Sequence, residues 1–275
     1  GTYSVAVAYT DAIGYRETLY SPDRFVSAFN NGNGIAGQIT SSIVGVFREG
    51  LTLGAAGVSA DPDGVASNPN YAYQWFKNGS PIAGATRNTY SVPFNGSGTY
   101  RVAVSYTDLQ GFRATVNSPN QLVGKNLVGT SRPDTLNGTA GTDLITGLEG
   151  ADRLFGGGAS DTFRYNKFSD SRLSAFDRIT DLAISVDVID GPTAVRASVL
   201  SELGQASALS QQGLGRLLNQ FVFPVNGAAT FTIGSGASRR TFLALDDGSL
   251  GFDAKKDALI EITGYTGKLA NLSIS

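Results

Sequence analysis

The sequence predicts a mainly β protein in three parts: a β-sandwich, a parallel β-roll and a small α+β C-terminal cap. Three observations carry that expectation. Glycine supplies 35 of 275 residues and small or β-branched residues dominate much of the rest, a composition suited to short strands joined by tight turns. Residues 1–22 and 98–119 are near copies with alternating apolar positions. From residue 129 a nine-residue period takes over.

The two copies, GTYSVAVAYTDAIGYRETLYSP and GTYRVAVSYTDLQGFRATVNSP, lie 97 residues apart and agree at 14 of 22 positions, which predicts tandem modules of about that length. In each, an alternating strand (Val5, Val7, Tyr9; Val102, Val104, Tyr106) runs to a turn at Gly14 or Gly111 and a return strand, so each reads as a hairpin. Between them, VGVFREGLTLGAAGV offers one strand or two, and YAYQWFKNG and NTYSVP one each. Alternation puts Tyr71, Tyr73 and Trp75 on one face, where a core role outweighs a sugar-stacking platform. Residues 31–124 resemble the immunoglobulin-like repeats of bacterial surface proteins, with Trp75 at the core tryptophan and Tyr100 in the G-T-Y that opens a late strand. The resemblance implies an immunoglobulin-like β-sandwich without disulfides over 31–124, and makes 1–30 the closing hairpin of a preceding repeat.

The nine-residue units are GTSRPDTLN, GTAGTDLIT, GLEGADRLF and GGGASDTFR, gapless from Gly129 to Arg164. Glycine opens each at Gly129, Gly138, Gly147 and Gly156; aspartate is sixth at Asp134, Asp143, Asp152 and Asp161; Leu136, Ile145, Leu154 and Phe163 are eighth. The run resembles the G-G-x-G-x-D-x-U-x repeat of the RTX parallel β-roll, with departures at Thr130, Thr139 and Leu148 in second place and Arg132 and Ala159 in fourth. The resemblance implies a calcium-binding roll over 125–191. Two units make one coil, so turns two units apart stack. Asp134 is expected to pair with Asp152, and Asp143 with Asp161, around Ca2+ held also by the carbonyls of the Gly129, Gly138, Gly147 and Gly156 turns. Asp170 continues the nine-residue spacing and is expected to give a third pair with Asp152, although Tyr165 stands where glycine is due and Arg172 where an apolar residue is due.

Residues 161–191 resemble the stretch after the roll in serralysin-type secreted proteases, and Asp177 and Asp181 fall where that family places further acidic ligands. Over 194–220, Val199, Leu200, Leu203, Leu209, Leu214, Leu217 and Leu218 follow a helix-like spacing, after which ATFTIG, RTFLAL and ALIEIT read as strands. The region 192–275 resembles C-terminal domains of RTX-type surface proteins, including those of marine cyanobacteria, and implies a cap carrying a type I secretion address. The loop DDGSLGFDAKKD departs from a helix-flanked calcium loop at Gly248 and Leu250, and reads as a hairpin turn with surface charge.

Composition narrows the chemistry. No Cys, Met or His occurs, so zinc on soft or imidazole ligands, Cys or His catalysis and disulfides are excluded, and any metal must be hard and oxygen-bound. Of 23 acidic residues 18 are Asp, the shorter carboxylate suited to reaching an ion from a turn, and nine of them lie between Asp134 and Asp190. A net charge of −2 gives no support for a nucleic-acid partner, and no apolar run is long enough for a membrane span. Asp61, Asp63 and Asp108 are expected to meet at one end of the sandwich, as a second calcium site or as plain turn chemistry. Carboxylates at Asp177, Asp181, Asp187 and Asp190 resemble glycosidase pairs only in number, and the chain is not expected to be an enzyme. The leading expectation is a calcium-dependent extracellular, cell-surface protein of structural or adhesive role, exported by the type I secretion machinery. Two others stand beside it: the non-catalytic tail of a secreted hydrolase, and a self-associating filament or lattice subunit.

Overall fold

Regular structure is mainly β, and the one α-helix among the described residues is Gln211–Leu217. The structure is a computed structural model that describes residues 2–3, 6–10, 16–20, 24–25, 43–58, 61, 64–65, 69–109, 111–193 and 200–275.

Both copies of the duplicated segment form hairpins in the same register. Ala6 faces Tyr20 as Ala103 faces Asn117, and Thr2 faces Phe25 as Thr99 faces Leu122. The second copy continues into a sheet ordered Arg113–Asn117, Gly98–Thr107, Ala72–Lys77 and Ser80–Pro81, with Gln121–Val123 also paired to Gly98–Thr107. A three-stranded sheet, Ile43–Val44, Thr52–Ala55 and Thr89–Ser91, shares its core: Ile43 and Leu53 meet Trp75, Tyr100, Val102 and Val104. Trp75 is wholly buried and satisfies its indole by donating to the Arg87 carbonyl at 2.9 Å, while the Tyr100 hydroxyl donates to the Gly96 carbonyl at 2.6 Å. Tyr71 and Tyr73 pack against the same core, as the alternation predicts.

This unit joins the next through hydrogen bonds donated by the backbone. Gly124 donates to the Phe47 carbonyl at 2.9 Å, and Asn126 N–H donates to Glu49 Oε1 at 2.9 Å. Beyond the junction the chain winds into two parallel sheets. One is ordered Asn126–Val128, Leu144–Thr146, Thr162–Arg164 and Val188–Asp190; the other begins Thr135–Thr139, Arg153–Gly157 and Asp177–Ile179. The eighth residues of the units fall into register, Ile145 beside Phe163 and Ile189, Leu136 beside Leu154 and Ile179, and the two rows pack together.

The second sheet does not end with the roll. Ala258–Glu261 pairs parallel to Asp177–Ile179, and Arg240–Leu245, Ala228–Ile233 and Leu200–Gln205 follow. The core is therefore common property: Ile145, Leu154, Phe163 and Ile179 cluster with Ala228, Leu243, Leu245 and Ile260. The helix-like spacing over 194–220 is only half realised. Leu200–Gln205 is a strand, and the helix is confined to Gln211–Leu217, capped by Ser210, whose side chain accepts from Gly213 N–H at 3.0 Å. Leu200 and Leu203, an odd number of places apart, point to opposite faces of this strand and join two clusters, so a spacing of three serves an edge strand instead of a helix face. Residues 194–199, with Val199, lie outside the described residues.

A shared core predicts shared unfolding. Ile260→Ala, in the last third of the chain at a fully buried site, is expected to cost about 2–5 kcal/mol. It should lower hydrogen-exchange protection of 144–164 along with that of 240–261, and loss confined to the cap strands would show two independent units.

Candidate metal centre

The aspartates of the nonapeptides stack on two edges of the roll. On the first, Asp134 N–H donates to Asp152 Oδ1 at 2.8 Å, and Asp152 N–H to Asp177 Oδ1 at 2.9 Å. On the second, Lys125 N–H donates to Asp143 Oδ1, Asp143 N–H to Asp161 Oδ1 at 2.9 Å, and Asp161 N–H to Asp187 Oδ1 at 3.0 Å. The pairs Asp134 with Asp152 and Asp143 with Asp161 thus stand on adjacent rungs. Each carboxylate after Asp134 gives one oxygen to the backbone that precedes it in the stack.

The fate of the other oxygen differs between units. In the first, Thr130 donates its N–H (2.6 Å) and hydroxyl (2.8 Å) to Asp134 Oδ2. In the second, Thr139 does the same for Asp143 Oδ2, at 2.6 and 3.0 Å. In the third, the equivalent residue is Leu148, which has no hydroxyl and sits in the left-handed region at φ 67°. Asp152 Oδ2 is consequently buried without a hydrogen-bond partner, and so is Asp177 Oδ2 on the next rung. The buried Tyr165 hydroxyl acts on Asp177 from nearby without reaching hydrogen-bond geometry. Both carboxylate oxygens border the space left by the missing side chain of Gly147, where a Cβ would fall 3.3 Å from Asp177 Oδ2 and closer still to Asp152 Oδ2. Two unpaired carboxylate oxygens flanking one gap, in a chain without imidazole or thiol donors, form a cradle that suits a hard, oxygen-seeking cation such as Ca2+. Glycine is also required at Gly129 and Gly138, where a Cβ would strike the carbonyl oxygens of Gly147 and Gly156.

The expected pairing of Asp170 with Asp152 is not what the chain adopts. Residues between Arg164 and Asp177 leave the coil in a 3-10 turn at Phe168–Asp170 and a bridge from Arg172 to Ala175, and the stack resumes at Asp177. Asp170 is buried but turned to its own loop, accepting from Asn166 N–H at 2.9 Å and Lys167 N–H at 3.1 Å. Asp181 lies on the second edge, accepting from Gly156 N–H at 2.9 Å and Gly157 N–H at 2.8 Å. Asp187 is a rung that the spacing argument did not assign to the metal. Its signal was present: like the four nonapeptide aspartates, Asp177 and Asp187 are each followed two places later by an apolar residue, here the buried Ile179 and Ile189, whereas Asp170 is followed by Arg172. In the sandwich region, Val65 bridges Asp108. There the Asp61 carboxylate accepts from the Tyr106 hydroxyl and Asp108 Oδ1 from Phe112 N–H at 2.8 Å, while Asp63 lies outside the described residues.

Burial sets the electrostatics. Asp143, Asp152, Asp161, Asp170, Asp177 and Asp187 are all buried, yet the three ion pairs among the described residues, Arg164–Asp190, Arg178–Glu261 and Arg240–Glu261, include none of them. Burial, aggravated by neighbouring carboxylates, pushes Asp161 up to about 7 and Asp177 up to about 8, and burial raises Asp152 and Asp187 as well. With folded-state values above the ordinary 3.8, the folded chain binds more protons than the unfolded chain between about pH 4 and about pH 8. Without metal, stability is therefore expected to rise as pH falls through that window, and Asp177→Asn should flatten its upper part. Saturating calcium should reverse the slope, because the ligands must then be ionised. Melting curves at pH 5 to 8, in EDTA and in calcium, read both signs.

A family model described as the RTX calcium-binding nonapeptide repeat matches residues 128–163 in four copies. No curated protein matches the chain. The four units that build the two aspartate edges are therefore calcium-binding motifs of the RTX type, a repeat typical of secreted proteins.

Proposed function

We propose that this chain is a calcium-locked part of an extracellular surface protein with a structural or adhesive role. Immunoglobulin-like modules form its stalk, and the roll with its cap serves export, folding and anchorage or assembly. The observation that carries the reading is the double ladder of buried aspartates that no ion pair reaches among the described residues, a structure most stable where a divalent cation is plentiful. Inside a cell, where free calcium is scarce, the ladder repels itself and the chain stays extended for a type I export channel. Outside, calcium makes folding favourable and return unfavourable.

The stalk is supported by the identical register of the two hairpins, the behaviour of one module repeated, and by the buried Trp75 and the backward bond from Tyr100 to Gly96, both features of immunoglobulin-like sandwiches. A non-enzymatic role is favoured because Asp177, Asp181 and Asp187 are engaged with backbone N–H groups. The segment Leu269–Ser275 docks on the roll, where Ile274 bridges Ile189 and Ser275 exchanges backbone bonds with Ile189 and Gly191. An export address within it is legible only before folding.

The test is a calcium titration of the full chain from EDTA, followed by circular dichroism and limited proteolysis. Far-ultraviolet β signal and protease resistance over 125–275 should appear together, with each site held at about 100 times its Kd adding about 2.7 kcal/mol. Asp152→Ala should shift the transition to higher calcium. An unfolding midpoint that is the same in EDTA and in calcium would falsify the reading.

A further inference from the structure

Outside the roll, one group of carboxylates has the same unresolved charge. It lies in the loop joining strand Arg240–Leu245 to strand Ala258–Glu261, where one oxygen from each of Asp246, Asp247 and Asp257 falls within 4.8 Å of the others. The sequence reads this loop as a hairpin turn with surface charge. The hairpin is there, but Asp246 is 1% exposed and Asp257 fully buried, so two of the three charges belong to the interior.

Proximity of acids alone argues for nothing; the hydrogen bonding is what points to a ligand. Asp257 is held in place by backbone, Oδ1 accepting from Asp247 N–H at 2.9 Å and Oδ2 from Asp253 N–H at 2.7 Å, which leaves a lone pair free on each oxygen. Asp247 Oδ1 accepts from the N–H and hydroxyl of Ser249. Asp246 Oδ1 accepts from Asn226 N–H at 2.7 Å and Gly248 N–H at 2.8 Å, but its Oδ2 is buried and accepts from nothing. No ion pair among the described residues reaches the cluster; Ser249, with a smaller contribution from Lys256, holds the Asp247 carboxyl below its ordinary value. A buried carboxylate oxygen with no donor, beside two more carboxylates, is a costly arrangement that a cation relieves.

We propose that the Asp246–Asp257 loop is a calcium site of the cap, distinct from the aspartate ladder, with Asp246 Oδ2 as its buried anchor and Asp247 and Asp257 as its other acidic ligands. The donor set is all oxygen, which selects a hard cation. Three carboxylates on an irregular loop that can add backbone carbonyls fit the flexible, high coordination of Ca2+ better than the rigid octahedron of Mg2+. Burial also pushes Asp257 up to about 7 and raises Asp246, as expected of carboxylates awaiting a counter-charge. The site would fasten the cap. Asn226 is bonded to Asp246, Phe252 N–H donates to the Leu218 carbonyl at 2.9 Å, and Gln211 bonds both Phe252 and Ala254, so one ion here secures the helix segment to the hairpin.

The proposal stands on the cap's own residues and is separable from the role given to the roll. Calcium chloride is titrated calorimetrically into the full chain after EDTA treatment and removal, with Asp257→Asn, Asp247→Asn and Asp177→Asn in parallel. Asn keeps the side-chain shape and one carbonyl acceptor. Asp257→Asn and Asp247→Asn should each bind one calcium fewer per chain and gain less in melting temperature from calcium than the parent does. Should Asp257→Asn fail to fold, Asp247→Asn decides, since Asp247 is only partly buried and its Oδ1 accepts from Ser249 within its own loop. Unchanged stoichiometry, with the parent's full calcium gain in melting temperature, overturns the cap site. Ions lost in Asp177→Asn belong to the roll, and their loss or retention leaves the count at the cap unaffected.

Discussion

Carboxylates buried beside one another, with no ion pair among the described residues to answer them, govern the C-terminal half of this protein. The backbone offers partial relief, since each rung donates one N–H to the aspartate of the next. That leaves one oxygen and most of the charge unanswered. Thr130 and Thr139 answer it locally by donating to the second oxygen. At Leu148 no such answer exists, and the orphaned oxygens of Asp152 and Asp177 make the middle of the first edge the place where a cation matters most.

The ladder is tied at both ends to structure that it does not itself build. Toward the sandwich, Lys125 donates to Asp143, and the neighbouring Asn126 donates to Glu49. Toward the cap, Asp177 N–H donates to Ser171 Oγ at 2.8 Å, and that hydroxyl donates to the Leu259 carbonyl at 2.6 Å. Coils of a roll bury only one apolar residue per unit, so they need neighbours to complete a core. Here the neighbour is the cap, whose strand Ala258–Glu261 extends the second sheet and whose Leu243 and Ile260 pack among the roll's own apolar rows. Charge relief at the edges and apolar burial between the sheets thus act on one shared core.

The same logic suits a chain without Cys to an ion as its lock. A disulfide restrains the unfolded state wherever oxidation allows, whereas an oxygen cage stabilises the folded state only where its ion is abundant. Two cages of different construction, one repeated along the roll and one in the cap loop, would make completion of the fold report the calcium level twice.

Everything periodic could be read from the order of residues alone. The four in-register units name Asp134, Asp143, Asp152 and Asp161 as rungs because a coil of fixed length must repeat its turns, and the duplicated hairpin foretells its own register because identical alternation admits identical pairing. Where the period breaks, packing across space makes the choice. Once the chain leaves the coil after Arg164, counting by nine selects Asp170, whereas strand pairing of Ile179 with Leu154 and of Ile189 with Phe163 selects Asp177 and Asp187. Leu200 and Leu203 fit a helix face as well as a bulged edge strand, and only Ala228–Ile233 alongside settles which. Asp246 and Asp257 look like surface charges in a polar loop until the hairpin turns them inward, because burial depends on what lies across space and leaves no mark on local order.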